Sequence, residues 1–278
     1  MKGLDNFKIV TKSGEEYDMS GYFGVLVRSL VISSPQPIIE TEKGEGSHGQ
    51  IRLGKTWGPR LITAQCSWFA VDGPDVALLR NELFRKLMTL KEFYIVVDAE
   101  PGKRWKVEVA SDWSPQKLGT YGEFALEFIS HSPYSESIAT SLTAKDFDQL
   151  GVWQVGQGLI EANDMQYRHT TSSFRIYNPG DATVDPRNMP LAITYRGAST
   201  NLEIRNVTTS DVWRYTGTTG SADRLAIVGT RSLKNDVVNV FRDTNRKLIR
   251  LAPGWNDIRI TGASGSYSVE FDFRFYYL

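Results

Sequence analysis

The sequence predicts a mainly β chain of two domains. The first is a β-sandwich-like domain with one α-helix and a hairpin arm; the second is a β-sandwich. Three observations carry this. Apolar and polar residues alternate with period two in segment after segment, "RLITAQCSWFA" and "YGEFALEFIS" among them. Convincing helical spacing is confined to "DGPDVALLRNELFRKLMTLK". Beyond Pro133, clusters of Gly, Asn, Asp and Pro break the chain into short apolar runs about every ten residues, as in sandwich folds.

Taken in order, "FKIVTKSGEEYDMS" predicts two short strands around the turn Lys12-Ser13-Gly14, and "FGVLVRSLVISS" an apolar strand. "PQPIIETEKGEGSHGQIRLGKTWGPR" is rich in Gly, Pro and charge, and reads as a long hairpin arm or an exposed loop. "RLITAQCSWFA" alternates as a strand. The helix follows, with Asp72 or Asp75 as N-cap and Pro74 in the first turn. Val76, Leu79, Leu83, Leu87 and Leu90 are expected to form its apolar face, with Arg80, Arg85 and Lys86 largely away from it. "EFYIVVDAE", the turn Pro101-Gly102 and "RWKVEVASDW" predict a second hairpin. In "YGEFALEFIS", Phe124, Leu126 and Phe128 face the core opposite Tyr121, Glu123, Ala125 and Glu127. "SPYSESIATSLTAKDFDQLG" has a linker's composition, which sets the domains at 1–142 and 143–278. The second half holds "SSFRIYNPG", "LAITYRG", "NLEIRNVT", "DRLAIVGT", "RKLIRLAPGWNDIRITG" and "YSVEFDFRFYYL" as strands, with no convincing helix.

Composition narrows the function. The 32 Lys plus Arg balance 32 Asp plus Glu, whereas a protein gripping DNA along its backbone carries a basic excess. Cys66 is alone and the histidines are only His48, His131 and His169, so neither an internal disulfide nor a structural zinc site is expected. The first twenty residues lack a signal peptide's apolar run, and no stretch approaches a membrane span, so synthesis in the cytoplasm is expected.

Two phosphate-binding patterns overlap in "GEGSHGQIRLGKTWGPR". Gly44, Gly46 and Gly49 match G-x-G-x-x-G. Gly49, Gly54, Lys55 and Thr56 match the P-loop, with Asp98 as a candidate magnesium ligand. A P-loop needs a strand before its glycines and a helix starting at the Lys-Thr. Here Pro59 and a strand pattern follow Lys55, so both matches are read as coincidence. Cys66 lies in an alternating strand and is read as core. His131 is expected in a turn, His169 to be exposed, and Glu123 and Glu127 to face solvent. The sequon at Asn206 is set aside for want of a secretory route. No residue is assigned to catalysis, to a cofactor or to a metal, and the chain is expected not to be an enzyme.

The order of elements resembles the distal tail proteins (Dit) of siphophages infecting Gram-positive bacteria. In the first half the resemblance rests on the strand, the Gly-rich arm, "RLITAQCSWF", "DVALLRNELFRKLM", the hairpin at Pro101-Gly102 and "FALEFISHSPYSES". In the second it rests on "VWQVGQGL", "FRIYNPG", "LKNDVVNVFRDTNRKLIRLAPGWNDIRITG" and "EFDFRFYYL". Gln157 stands where the family has Met.

The resemblance implies a structural hub of the tail tip or baseplate. The first domain would form a ring, a hexamer, between the tail tube protein and the tail-tip or tail-associated lysin protein. The second, a galectin-like β-sandwich, would support receptor-binding or baseplate proteins. DNA would pass through the ring's lumen without sequence-specific binding, and no membrane partner is implied. The place implied is the tail tip of the virion. The arm from Ile38 to Arg60 would reach a neighbouring subunit or the tube. The alternative is a carbohydrate-binding module protein recognising host cell-wall glycans, with Trp213 and Trp255 as candidate sugar platforms.

Overall fold

The computed structural model describes residues 5–46, 48–143, 152–159 and 164–278. The chain divides into two compact units, residues 1–135 with 278, and residues 136–277.

The first unit contains β1 (Phe7–Val10), β2 (Glu16–Asp18), β3 (Val25–Ile32), β4 (Pro37–Glu42), β5 (Ile51–Trp57) and β6 (Arg60–Phe69). Helix α1 (Gly73–Leu87) follows, then β7 (Phe93–Val97), β8 (Lys103–Val109), β9 (Gln116–Leu118) and β10 (Tyr121–Ser130). The antiparallel path runs β2-β1-β7-β8-β10-β6-β3, with β9 added to β10. β4 and β5 pair only with each other, as a two-stranded ribbon. The predicted arm is therefore a hairpin.

Alternation places one side of β6 and β10 in the core: Ile62, Ala64, Cys66 and Trp68 against Phe124, Leu126 and Phe128. Their rings interlock, Trp68 with Phe124 at 5.0 Å and Phe124 with Trp113 at 4.8 Å. Gly122 makes this possible, because a β-carbon there would lie 2.6 Å from the Trp68 indole. The Asp72 carboxylate caps α1 by accepting from the Asp75 N–H at 2.9 Å. Val76, Leu83 and Leu87 are buried and Leu79 is partly so. Leu90 corrects the predicted face: the helix ends at Leu87, with Met88 as C-cap, and Leu90 is fully exposed.

The second unit begins at the end of β11 (Ser135–Ser137). It continues through β12 (Arg168–His169), β13 (Ser173–Asn178), β14 (Leu191–Asn206), β15 (Asp211–Arg214) and β16 (Thr218–Thr219). Then come β17 (Arg224–Val228), β18 (Arg231–Lys234), β19 (Val238–Asn239), β20 (Gly254–Phe273) and β21 (Tyr276–Tyr277). The order is β12-β20-β14-β17-β18-β19, with β13 beside β20, and β15 and β16 beside β14.

Two long strands replace four predicted short ones. In β14 the buried set passes from Leu191, Ile193 and Tyr195 to Leu202 and Ile204, odd to even. In β20 it passes from Asn256, Ile258 and Ile260 to Val269, Phe271 and Phe273, even to odd. Register shifts after Gly197 and after Ser199 absorb the changed parity, so apolar residues stay inward throughout. Gly262, at φ +80°, sits where a β-carbon would lie 2.5 Å from the Thr200 and Asn201 carbonyl oxygens.

The predicted strand at "RKLIRL" is instead extended chain held by side chains. Asn206 Nδ2 donates to the Arg250 carbonyl at 2.7 Å, and Asn256 Nδ2 to that of Ala252 at 2.8 Å. Part of the predicted linker also belongs to the second unit. Ser137 and Ser141 donate their N–H groups to the carbonyls of Phe275 and Phe273, both at 2.8 Å. Its residues 144–151 lie outside the described residues. In "VWQVGQGL", Trp153 is buried 5.5 Å from the Phe275 ring. Buried Gln157 accepts from the Gln154 N–H through its amide oxygen at 2.8 Å.

Candidate assembly surface

The residues that first suggested chemistry do not assemble into a site. Lys55 stands on the extended β5, its ammonium 4.3 Å above the Trp57 ring, and no helix begins there. The Asp98 carboxylate accepts from Asn6 Nδ2 at 3.0 Å. Cys66 is buried, and burial pushes its thiol up to about 12, far from a reactive thiolate. His131 pairs with Glu108 at 2.8 Å. His169 is half-buried rather than exposed, because its ring stacks on Phe174 at 4.0 Å, and burial lowers its pKa. Glu127 is half-buried on the outer face of β10, the face of Tyr121 and Glu123, and accepts from the Ser111 hydroxyl at 2.9 Å. Asn206 of the sequon is fully buried. Among the described residues no group of three or more His, Cys, Asp or Glu could hold a metal, and no helix is long and apolar enough to cross a membrane.

The sugar platform is overturned in part. Trp213 is 1% exposed, with its indole N–H 3.3 Å from Ser232 Oγ, so no ligand reaches its face. Trp255 is half-buried beside Tyr177, with the Arg175 guanidinium 4.4 Å over its ring.

What the first unit presents is apolar surface on strands. On the ribbon, Ile39 pairs with Lys55 and Pro37 with Trp57 on one face, while a register shift after Glu40 leaves Leu53 unpaired and sets Ile51 opposite Glu42 on the other face. The ribbon exposes apolar side chains along its length, Ile39 by 55%, Ile51 by 66%, Leu53 by 61% and Trp57 by 38%. A second row crosses the outer face of the sheet. Leu118, Tyr121 and Phe69 are direct cross-strand neighbours on β9, β10 and β6. Phe69 and Leu118 are exposed, and the Phe69 and Tyr121 rings lie 4.9 Å apart. Val31 and Leu61 are exposed farther along β3 and β6.

Charge borders this face. Arg28 Nη1 meets Glu123 Oε1 at 2.7 Å, and the Tyr121 hydroxyl donates to the same oxygen. Together, the hydroxyl first, they hold the Glu123 carboxyl below its usual range. Contiguous exposed apolar surface rimmed by polar groups marks a protein-binding face. Burying a Leu, Ile or Val side chain there would contribute about 1.5–3 kcal/mol.

Residues 12–130, which include both rows and the ribbon, match the family model described as the phage tail protein RIFT-related domain. The whole chain is also similar in fold to the Dit protein (gp 19.1) of phage SPP1, described as a paradigm of the hub adsorption apparatus in phages infecting Gram-positive bacteria. The TM-score is 0.70 at 14% identity, over 97% of this chain and 99% of that one. A chain of the phage P2 baseplate in its activated conformation aligns over 97% of both chains, at 10% identity and a TM-score of 0.48. No curated protein matches the chain in sequence.

The two exposed rows were not singled out in the sequence. The signal was there in "IRLGKTW", where Ile51, Leu53 and Trp57 keep period two within a polar arm.

Proposed function

We propose that this protein is the hub of a siphophage tail tip. Its first unit closes into a six-fold ring that joins the tail tube to the tail-tip or tail-associated lysin protein. Its second unit, a galectin-like sandwich, carries receptor-binding or baseplate proteins. A non-enzymatic role suits a surface built of strands and apolar rows.

The observation that carries this reading is the likeness of the whole chain to SPP1 Dit, both units in one order, together with the phage-tail domain over residues 12–130. The ribbon fits the reading physically. An unpaired two-stranded arm that exposes Ile39, Ile51, Leu53 and Trp57 gains stability when a partner covers it. A ring subunit must offer two different patches, because its contacts run head to tail. The ribbon face and the outer sheet row are two such patches. The equal numbers of acidic and basic residues suit a ring whose lumen lets DNA pass without gripping it.

Co-sedimentation with assembled tail-tube protein tests the function. The protein is expected to pellet with the tubes and to appear at one tube end in negative stain. A protein that stays in the supernatant and leaves the tube ends bare would count against the hub.

A further inference from the structure

We propose that a basic cleft on the second unit binds phosphate esters. It has a volume of about 580 Å³ and is lined by Arg187, Arg205, Arg214, Lys247 and Arg250, with Asp211 as the one carboxylate in its lining. The proposal rests on this cleft alone and does not depend on the hub reading.

The arginines are fixed from below. Glu203 Oε1 accepts from Nε and Nη2 of Arg205 at 3.2 and 3.1 Å, and its Oε2 from Nε and Nη2 of Arg214 at 3.1 and 2.5 Å. Asp211 takes Nε and Nη2 of Arg250 at 3.0 and 2.9 Å. Both carboxylates are sunk, at 15% exposure, while the guanidiniums reach outward. Arg205, Arg214 and Arg250 thus each spend one edge on a sunken carboxylate and have no acceptor at Nη1 among the described residues, whereas Arg187 Nη1 donates to Asp185 at 2.9 Å. The Lys247 ammonium has no carboxylate partner among them either. The donors are preorganised, so a ligand need not order them on binding.

The chemistry favours phosphate over carboxylate. A carboxylate offers two oxygens in one plane: Asp211 spends both on one guanidinium fork, and Glu203 spends one on each of two. A phosphate presents oxygens in a tetrahedron and accepts from several donors at once. Three Nη1 groups and an ammonium around one cleft match that geometry.

Calorimetric titration of the full chain with tripolyphosphate, glycerol 3-phosphate and pentaglutamate tests the proposal. Tripolyphosphate is expected to bind, and to bind more weakly as salt rises. The double variant Arg205→Gln, Arg214→Gln should weaken it by about tenfold or more. Lys247→Ala, which breaks no ion pair and so leaves the fold intact, should weaken it measurably. Equal binding per phosphate of glycerol 3-phosphate would identify a small ester as the ligand; preference for the longer anion would identify a phosphate chain. Either supports the proposal. Absence of phosphate binding, binding unchanged by both variants, or pentaglutamate binding as tightly as tripolyphosphate would overturn it.

Discussion

Single residues decide both packing and acid sensitivity. Gly122 leaves room for the Trp68 indole, with no unusual φ to explain its presence. Gly122→Val should therefore act by overpacking and cost about 1–3 kcal/mol, read as a lower unfolding temperature with a changed near-UV aromatic signal. Unchanged stability would mean that the ring moves freely. Asp223 accepts from Asn235 Nδ2 and the Gly220 N–H, both at 2.9 Å, and pairs with Lys234 at 2.9 Å. These hold its carboxyl well below the usual range. A lowered folded pKa contributes stability that is present above the unfolded value and is lost as pH falls through the folded one. The gap in unfolding temperature between the parent and Asp223→Asn should therefore narrow below about pH 4. A gap constant from neutral to strongly acid pH would exclude the ion-paired role. At this scale the sequence was partly legible. Cys66 lies in an alternating apolar strand, so its burial could be read. Trp213 could not be placed, because its four-residue strand is too short to establish which face is inward.

Elements were most legible where local chemistry decides them. The first unit's strands, the N-cap at Asp72 and the arm hairpin follow from alternation, capping and turn residues. The helix end did not, because the leucine spacing runs on past the cap to Leu90. The long strands of the second unit were read as pairs of shorter ones. Glycines that usually end strands here sit at bulges inside β14 and β20, where the changed parity is repaired by the partner strand. The ribbon offers the sharpest test at this scale. Ile39→Glu with Leu53→Glu alters side chains that touch no core, so stability should stay within about 0.5 kcal/mol. Assembly into a ring, or onto the tube, should be lost. Assembly unaffected by the pair would make the ribbon a surface decoration; a collapse in stability would mean that its face is already covered within the monomer.

At the scale of the whole molecule, physical reading and resemblance part company. Charge balance, alternation and turn chemistry lead to two β units without a catalytic constellation, and no further. The proposed tail role rests on the order of elements along the chain; residues 12–130 match the phage-tail domain model, and the whole chain shares the SPP1 Dit fold. Which strands face a neighbour could not be read from the sequence, because exposed apolar residues look like core until the sheet order is known. The central claim is that this chain closes into a six-fold ring. The measurement that tests it most directly is the mass of the purified protein by light scattering, with negative-stain imaging of the same fraction, alone and mixed with tail-tube protein. The account predicts a species of six chains with a central hole in at least one of the two samples. A single-chain mass in both, with no ring in either image, would contradict it.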